Sequence, residues 1–219
     1  MKNQIVKALI FNKQVRLYLI NNTELLEKIL HINHNSNTAV KGALANSLSV
    51  VSLLSATLKG HQRLSVTLTM SNPKSKINAD ADAYGNIRGY ANDFLLSNQK
   101  NYSTVKELIG PKGSIRMIKG VDMNQFTGIT DMPYQNIDKD FSYYFKQSDQ
   151  TDTLIQTNIE WKENKENNDI DNSYGLYAQL LPQSSVELLN YVEELMRRTL
   201  TLLQELVLSP LYINIYRML

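Results

Sequence analysis

Between Thr38 and Leu58 the chain carries a single charged residue, Lys41, and small or aliphatic residues at most other positions. A run of that length is too long for one strand and reads as a helix. Being apolar or small on nearly every side, it has no face suited to water and must be surrounded by the rest of the fold. Gly42, Ala43, Ala45 and Ala56 would let neighbouring backbone approach closely. A membrane span is a poor reading, because Lys41, Asn46 and serines at 47, 49, 52 and 55 interrupt the run. Lys59-Gly60 reads as a cationic last turn followed by a left-handed cap.

The segments on either side supply candidates for the cover. Ile5–Phe11 and Val15–Ile20 read as strands joined by a hairpin at Asn12-Lys13-Gln14, and Asn22 or Thr23 as the cap of a short helix ending at Leu30. Leu64, Val66 and Leu68 alternate with Ser65, Thr67 and Thr69, the pattern of a half-buried strand, and Ser71-Asn72-Pro73 is the turn after it. Lys76–Ala83 and Ile87–Tyr90 read as strands joined at Tyr84-Gly85-Asn86, and Ile115, Met117 and Ile118 mark another. Ile137–Gln147 is expected to be helical, Thr153–Trp161 and Tyr174–Leu181 extended, and Lys162–Asn172 a polar loop. Strands and helices mix without a βαβ rhythm. The expected class is therefore α+β, with antiparallel sheets packed around a buried central helix.

Pro182 closes this unit, so residues 1–182 are expected as one domain and 183–219 as a helical, linker-like segment. Ser184 and Glu187 stand three apart, as in a capping box. Leu188, Leu189, Val192, Leu195, Met196, Leu203 and Leu206 fall on one side of the helix that follows. Glu193–Arg197 and Glu194–Arg198 are spaced for ion pairs on the other. Seven apolar side chains left in water would forgo roughly 10 kcal/mol, at about 1.5–3 kcal/mol each. That helix must dock on the core, on another subunit or on a partner.

The residues exclude more chemistry than they suggest. No cysteine occurs among the 219 residues, which removes disulfides, thiolate metal sites and a thiol nucleophile from these residues. A net charge of +2 is too balanced for a nucleic-acid binder. No signal peptide or span is legible, in the tail Leu200–Leu219 either, so a cytoplasmic protein is expected. Asp80-Ala-Asp82-Ala-Tyr84 starts like a calcium loop, but Tyr84 and Ala91 stand where oxygen ligands belong. His31 and His34 have no nearby third ligand, and His61 reads as a surface residue. The serines of the central run are expected to bond back to their own helix, and Phe141, Tyr143, Tyr144 and Phe145 to pack in the core. No nucleophile–base set, phosphate loop or metal motif is legible, so an enzyme is not expected.

Several strings resemble the redox-regulated 33 kDa chaperonins, the heat shock protein 33 family. Ala79-Asp80-Ala81-Asp82-Ala83-Tyr84-Gly85-Asn86-Ile87-Arg88-Gly89-Tyr90 is similar to that family's ADADxxGxVRGY signature. Leu58-Lys59-Gly60 with Arg63-Leu64, Phe126-Thr127-Gly128, Asp140–Phe145, Ser148-Asp149-Gln150 and Gln179-Leu180-Leu181-Pro182 follow its other motifs in order. The departures are Met70-Ser71-Asn72-Pro73 in place of a glycine-rich turn, Asp149 within the later motif, and a single Gly175 before the last strand. Family members continue through a linker into a zinc domain with Cys-x-Cys and Cys-x-x-Cys. Here residue 219 falls within what would be the linker.

The resemblance implies an ATP-independent holdase of the stress response that captures unfolding proteins on apolar surface. It cannot carry over the thiol–zinc switch, so no cofactor and no zinc are expected. Unfolded clients are the expected partners, with a homodimer, and neither nucleic acid nor membrane. Leu189, Val192, Met196, Leu203, Leu206, Leu211, Tyr212, Ile213 and Tyr216 are the expected client-binding residues; Asp80, Asp82, Gly85, Arg88, Gly89 and Tyr90 form a structural signature. The alternative is a structural remnant or interaction module whose amphipathic helix is fully docked and binds no client.

Overall fold

A computed structural model describes residues 3–162, 170–182 and 184–207; for Asn101, Val186 and 200–207 it describes the backbone alone. The chain opens with a hairpin of β1 (Gln4–Ile10) and β2 (Val15–Asn21). Its connection is Phe11–Gln14, with Phe11, Asn12 and Lys13 all left-handed. Helices α1 (Thr23–Ile32) and α2 (Thr38–Ser55) follow. Next come β3 (Arg63–Thr69), β4 (Lys76–Asp82), β5 (Ile87–Ala91), and the short helices α3 (Asp93–Asn98) and α4 (Val105–Ile109). Strands β6 (Ser114–Val121) and β7 (Asn124–Asp131) precede helix α5 (Ile137–Tyr144). A hairpin of β8 (Thr153–Trp161) and β9 (Ile170–Leu180) and the long helix α6 (Val186–Val207) complete the described chain.

All strand pairings are antiparallel and fall into two sheets, with orders β1-β2-β9-β8 and β5-β4-β3-β6-β7. Helix α2 lies between them and packs on strands of both. From Ala39 to Ser55 nearly every residue is buried, and Val40, Ala43, Leu44, Leu48, Val51 and Leu53 have no exposed surface. The α+β reading with a central buried helix is what the fold contains.

Local chemistry explains where the expected boundaries move. Asn37 accepts from Val40 N and starts α2. The helix ends at Ser55 rather than at Gly60, because Ala56, Thr57 and Leu58 donate to carbonyls three residues back and tighten the last turn. Ser47 and Ser52 bond back to the Ala43 and Leu48 carbonyls as expected (2.6 and 2.7 Å), and Ser55 to that of Ser52 (2.6 Å). Ser49 does not. Its hydroxyl joins Asn22 Nδ2 (3.1 Å) and Ser173 Oγ (3.2 Å), while Ser173 donates to Asn22 Oδ1 (2.7 Å). Asn22 is thus a buried polar hub linking α2 to β9, and Asn21 Oδ1 accepts from Thr23 N at the start of α1 instead.

Candidate functional site

Each sheet has one face on α2 and one face away from it, and the two outward faces differ. Directly opposed residues of an antiparallel pair share a face. The outward rows of the five-stranded sheet are mostly polar: Tyr90, Asn78, Thr67, Arg116 and Ile129 form one, and Arg88, Asp80, Ser65, Ile118 and Thr127 the next. The four-stranded sheet instead presents Ala8, Leu17, Ala178 and Leu154 in one row and Val6, Leu19, Leu176 and Gln156 in the next. This second face is apolar and needs a cover.

Helix α6 supplies part of it. Val192 and Met196 are 2% and 3% exposed and pack with Val15, Leu176 and Ala178; Leu17, Leu19, Leu154, Leu180 and Leu188 border the cluster. Ser185 accepts from Leu188 N (3.3 Å), so the cap is Ser185 rather than Ser184. Ser184 Oγ lies instead 2.9 Å from the Gln14 carbonyl and 2.7 Å from that of Leu181, tying the helix entrance to the β1–β2 connection. Phe11 meets Tyr191 edge-on at 5.7 Å. On the solvent side Arg197 and Arg198 both hold Glu194, whose carboxyl they lower to about 2. The expected Glu194–Arg198 pair is present, and Arg197 joins the same carboxylate from three residues away.

Where α6 begins, a cavity of about 470 Å³ opens between it, α5 and β8, lined by Tyr134, Asp138, Tyr143, Leu154, Gln156 and Leu189 among others. Helix α5 is clasped to the edge strand β8 beside this cavity. Thr157 N and Oγ1 donate to the Asp138 carboxylate (2.7 and 2.9 Å), and Ile155 N donates to Ser142 Oγ (3.2 Å). Burial pushes the Asp138 carboxyl up to about 6, against the lowering effect of the Thr157 bonds. Asp140 is fully buried and accepts from Tyr134 N and Asn136 N (2.9 and 2.8 Å); burial raises its pKa as well. Both carboxylates bind backbone, and Ser142 serves as an acceptor. The arrangement holds elements together and offers a surface; it does not assemble a nucleophile with a base.

Of the expected client-binding residues, Leu189 lines the cavity, and Val192 and Met196 lie under α6 against the sheet. Leu203 and Leu206 belong to α6, but their side chains lie outside the description, and Leu211, Tyr212, Ile213 and Tyr216 lie outside the described residues. The signature residues build the β4–β5 hairpin. Asp82 accepts from Tyr84 N (2.9 Å), Asn86 N (3.0 Å) and Asn86 Nδ2 (2.8 Å), and Asp80 accepts from Arg88 (2.9 Å) and Ser65 (2.5 Å). Gly85 turns the loop at φ 81°, while a Cβ on Gly89 would stand 2.8 Å from Leu48 and 2.9 Å from the Asn78 carbonyl. Tyr90 is 53% exposed on the polar outer face.

The outward apolar rows of β2 and β9 were not among the expected site residues. Their signal is present in the sequence: Tyr174–Ala178 has no charged or amide side chain at either parity, which marks a strand covered on both faces. The zinc of the resembled family finds no donor set among these residues. There is no cysteine, and among the described residues no group of three or more His, Asp or Glu could hold a metal ion. Among them, too, no helix is long and apolar enough to cross a membrane.

Comparison with known proteins agrees with the fold. The family model described as Hsp33 protein matches residues 3–218. A 33 kDa chaperonin of Bacillus cytotoxicus is 29% identical over 205 residues, covering 90% of this chain and 68% of the relative. One from Staphylococcus haemolyticus is 30% identical over 194 residues, covering 86% and 64%. The chain spans about two thirds of the length of these curated relatives. The crystal structure of the 33 kDa chaperonin of Thermotoga maritima superposes with a TM-score of 0.67 at 19% identity, over 80% of this chain and 60% of that one, a likeness of fold.

Proposed function

The chain belongs to the Hsp33 family, and from that premise we propose that it is an ATP-independent chaperone of the cytoplasm that holds unfolding proteins. The observation that carries the reading is the apolar outer face of the four-stranded sheet, only partly roofed by α6. Val6 is 57% exposed, Leu17 and Leu19 are half-buried, and Val192 and Met196 are the side chains that close the middle. Apolar surface of this kind binds apolar surface without bond chemistry. Client capture enlarges when α6 lifts, since Leu176, Ala178 and Val15 then join the open rows. None of these contacts involves a thiol, so within these residues the proposed surface works without the relatives' zinc switch.

The test is light scattering of a chemically denatured client diluted into buffer, with and without the chain and with and without a thiol-specific oxidant. Suppression of aggregation to the same degree in both redox conditions is expected. No suppression in either would end the proposal, and suppression only with oxidant would end its thiol-independent part. The burial of Val192 and Met196 favours a second reading, an interaction module with its helix permanently docked. A dye that brightens on exposed apolar surface separates the two: bright binding to the native chain supports the chaperone.

A further inference from the structure

The two edges of the four-stranded sheet are treated differently. At β8 the outward amides of Ile155 and Thr157 are already occupied by Ser142 and Asp138 of α5, which stand in for a neighbouring strand. At β1 nothing comparable occurs among the described residues, where the backbone of Gln4–Ile10 hydrogen-bonds to β2. A bare edge of seven residues is a template for another strand, and proteins usually guard it with a charge, a proline or a bulge. Here the segment Gln-Ile-Val-Lys-Ala-Leu-Ile has no proline, and its register with β2 runs without a break. Its one charge is turned aside: Lys7 Nζ donates to the Ala56 carbonyl at the end of α2 (2.7 Å) and lies over the Tyr18 ring. Val6 and Leu9, on opposite faces of the strand, are 57% and 54% exposed.

We propose that β1 takes up an extended, apolar, weakly charged segment of a non-native polypeptide as a fifth strand of this sheet. The proposal rests on the chaperone reading and names the chemistry of its client. The backbone groups of β1 ask for an extended partner. Val6 and Leu9 ask for apolar side chains on alternating faces, and an added strand would continue the outward rows of Val6, Leu19, Leu176 and Ala8, Leu17, Ala178. Such recognition reads backbone first and side chains loosely, as strand addition does, and so suits clients of many sequences.

The test uses the full chain and a labelled eight-residue peptide alternating valine and threonine, with a solubilising lysine tail, beside a copy N-methylated at alternate residues. Fluorescence anisotropy reads binding, and amide hydrogen exchange reads the strand. The unmodified peptide should bind and slow exchange across Gln4–Ile10. The methylated copy, which cannot make the backbone bonds, should bind at least about tenfold more weakly. Val6→Lys and Leu9→Lys, both at exposed positions, should weaken the unmodified peptide similarly while leaving the circular dichroism spectrum unchanged. No binding, equal binding of both copies, or concentration-dependent slowing of β1 exchange without peptide, which would give the edge to a second copy of the chain, each overturns the proposal. Aggregation suppression that persists in those cases leaves the chaperone reading standing; its absence from the unaltered chain removes that reading as well.

Discussion

Asp138 is a carboxylate that the fold would rather hold protonated. Burial moves it from an ordinary 3.8 to about 6, so the folded state binds this proton more tightly than the unfolded chain. Its contribution is therefore most favourable below about pH 4 and is lost as pH rises from about 4 to about 6. Asp140, also raised by burial, works in the same direction. Urea unfolding across that window should show Asp138→Asn losing part of the decline and gaining about 1–2 kcal/mol at pH 7, since asparagine keeps an acceptor for Thr157. An unaltered pH dependence in the variant would show that the carboxyl does not titrate there. Asn22 carries the opposite risk. Asn22→Ala would leave Ser49 and Ser173 short of partners inside the core, and a loss of about 2–3 kcal/mol is expected from the same measurement. Its sequence position before a helix gives no hint of this, because a buried hub across 151 residues has no local pattern.

Helix α6 is amphipathic, and only two of its described side chains are deeply buried. Met196→Lys would place an ammonium against Leu176 and Ala178 and should lift the helix. Amide exchange over 186–199 should then quicken by about tenfold or more while α2 stays protected, with stronger dye binding and client suppression. Unchanged exchange would mean that the α6 roof is held by something other than this contact. The uniformly apolar run of α2, the alternation of β3 and the apolar stripe of α6 were legible in the residues. Strand β7 was not, since Asn124–Asp131 is mostly exposed and its one buried residue is Gly128, so no alternation survives to be read. The five-residue α4 is too short to set a period. The apolar stripe identified α6 as a docking helix, but the face it docks on is assembled from β2 and β9, which are far apart in the chain.

Both sheets share one helix as their floor, so the described fold should lose its structure as a unit. Trp161, the only tryptophan, sits in β8 and packs on the common core. Its fluorescence and the far-ultraviolet circular dichroism should trace one unfolding transition. Leu48→Ala, at a position with no exposed surface, should shift both together by about 2–5 kcal/mol. A tryptophan signal that melts ahead of the rest would mean that the four-stranded sheet is a separate unit. The strand order also has a temporal side. The five-stranded sheet is drawn from one continuous stretch, Arg63 to Asp131, whereas β2 must wait for β9, which begins about 150 residues later. At about 5–20 residues per second of synthesis, the first hairpin waits on the order of ten seconds or more with its apolar rows bare. While it is being made, this protein passes through the condition of those it is proposed to rescue.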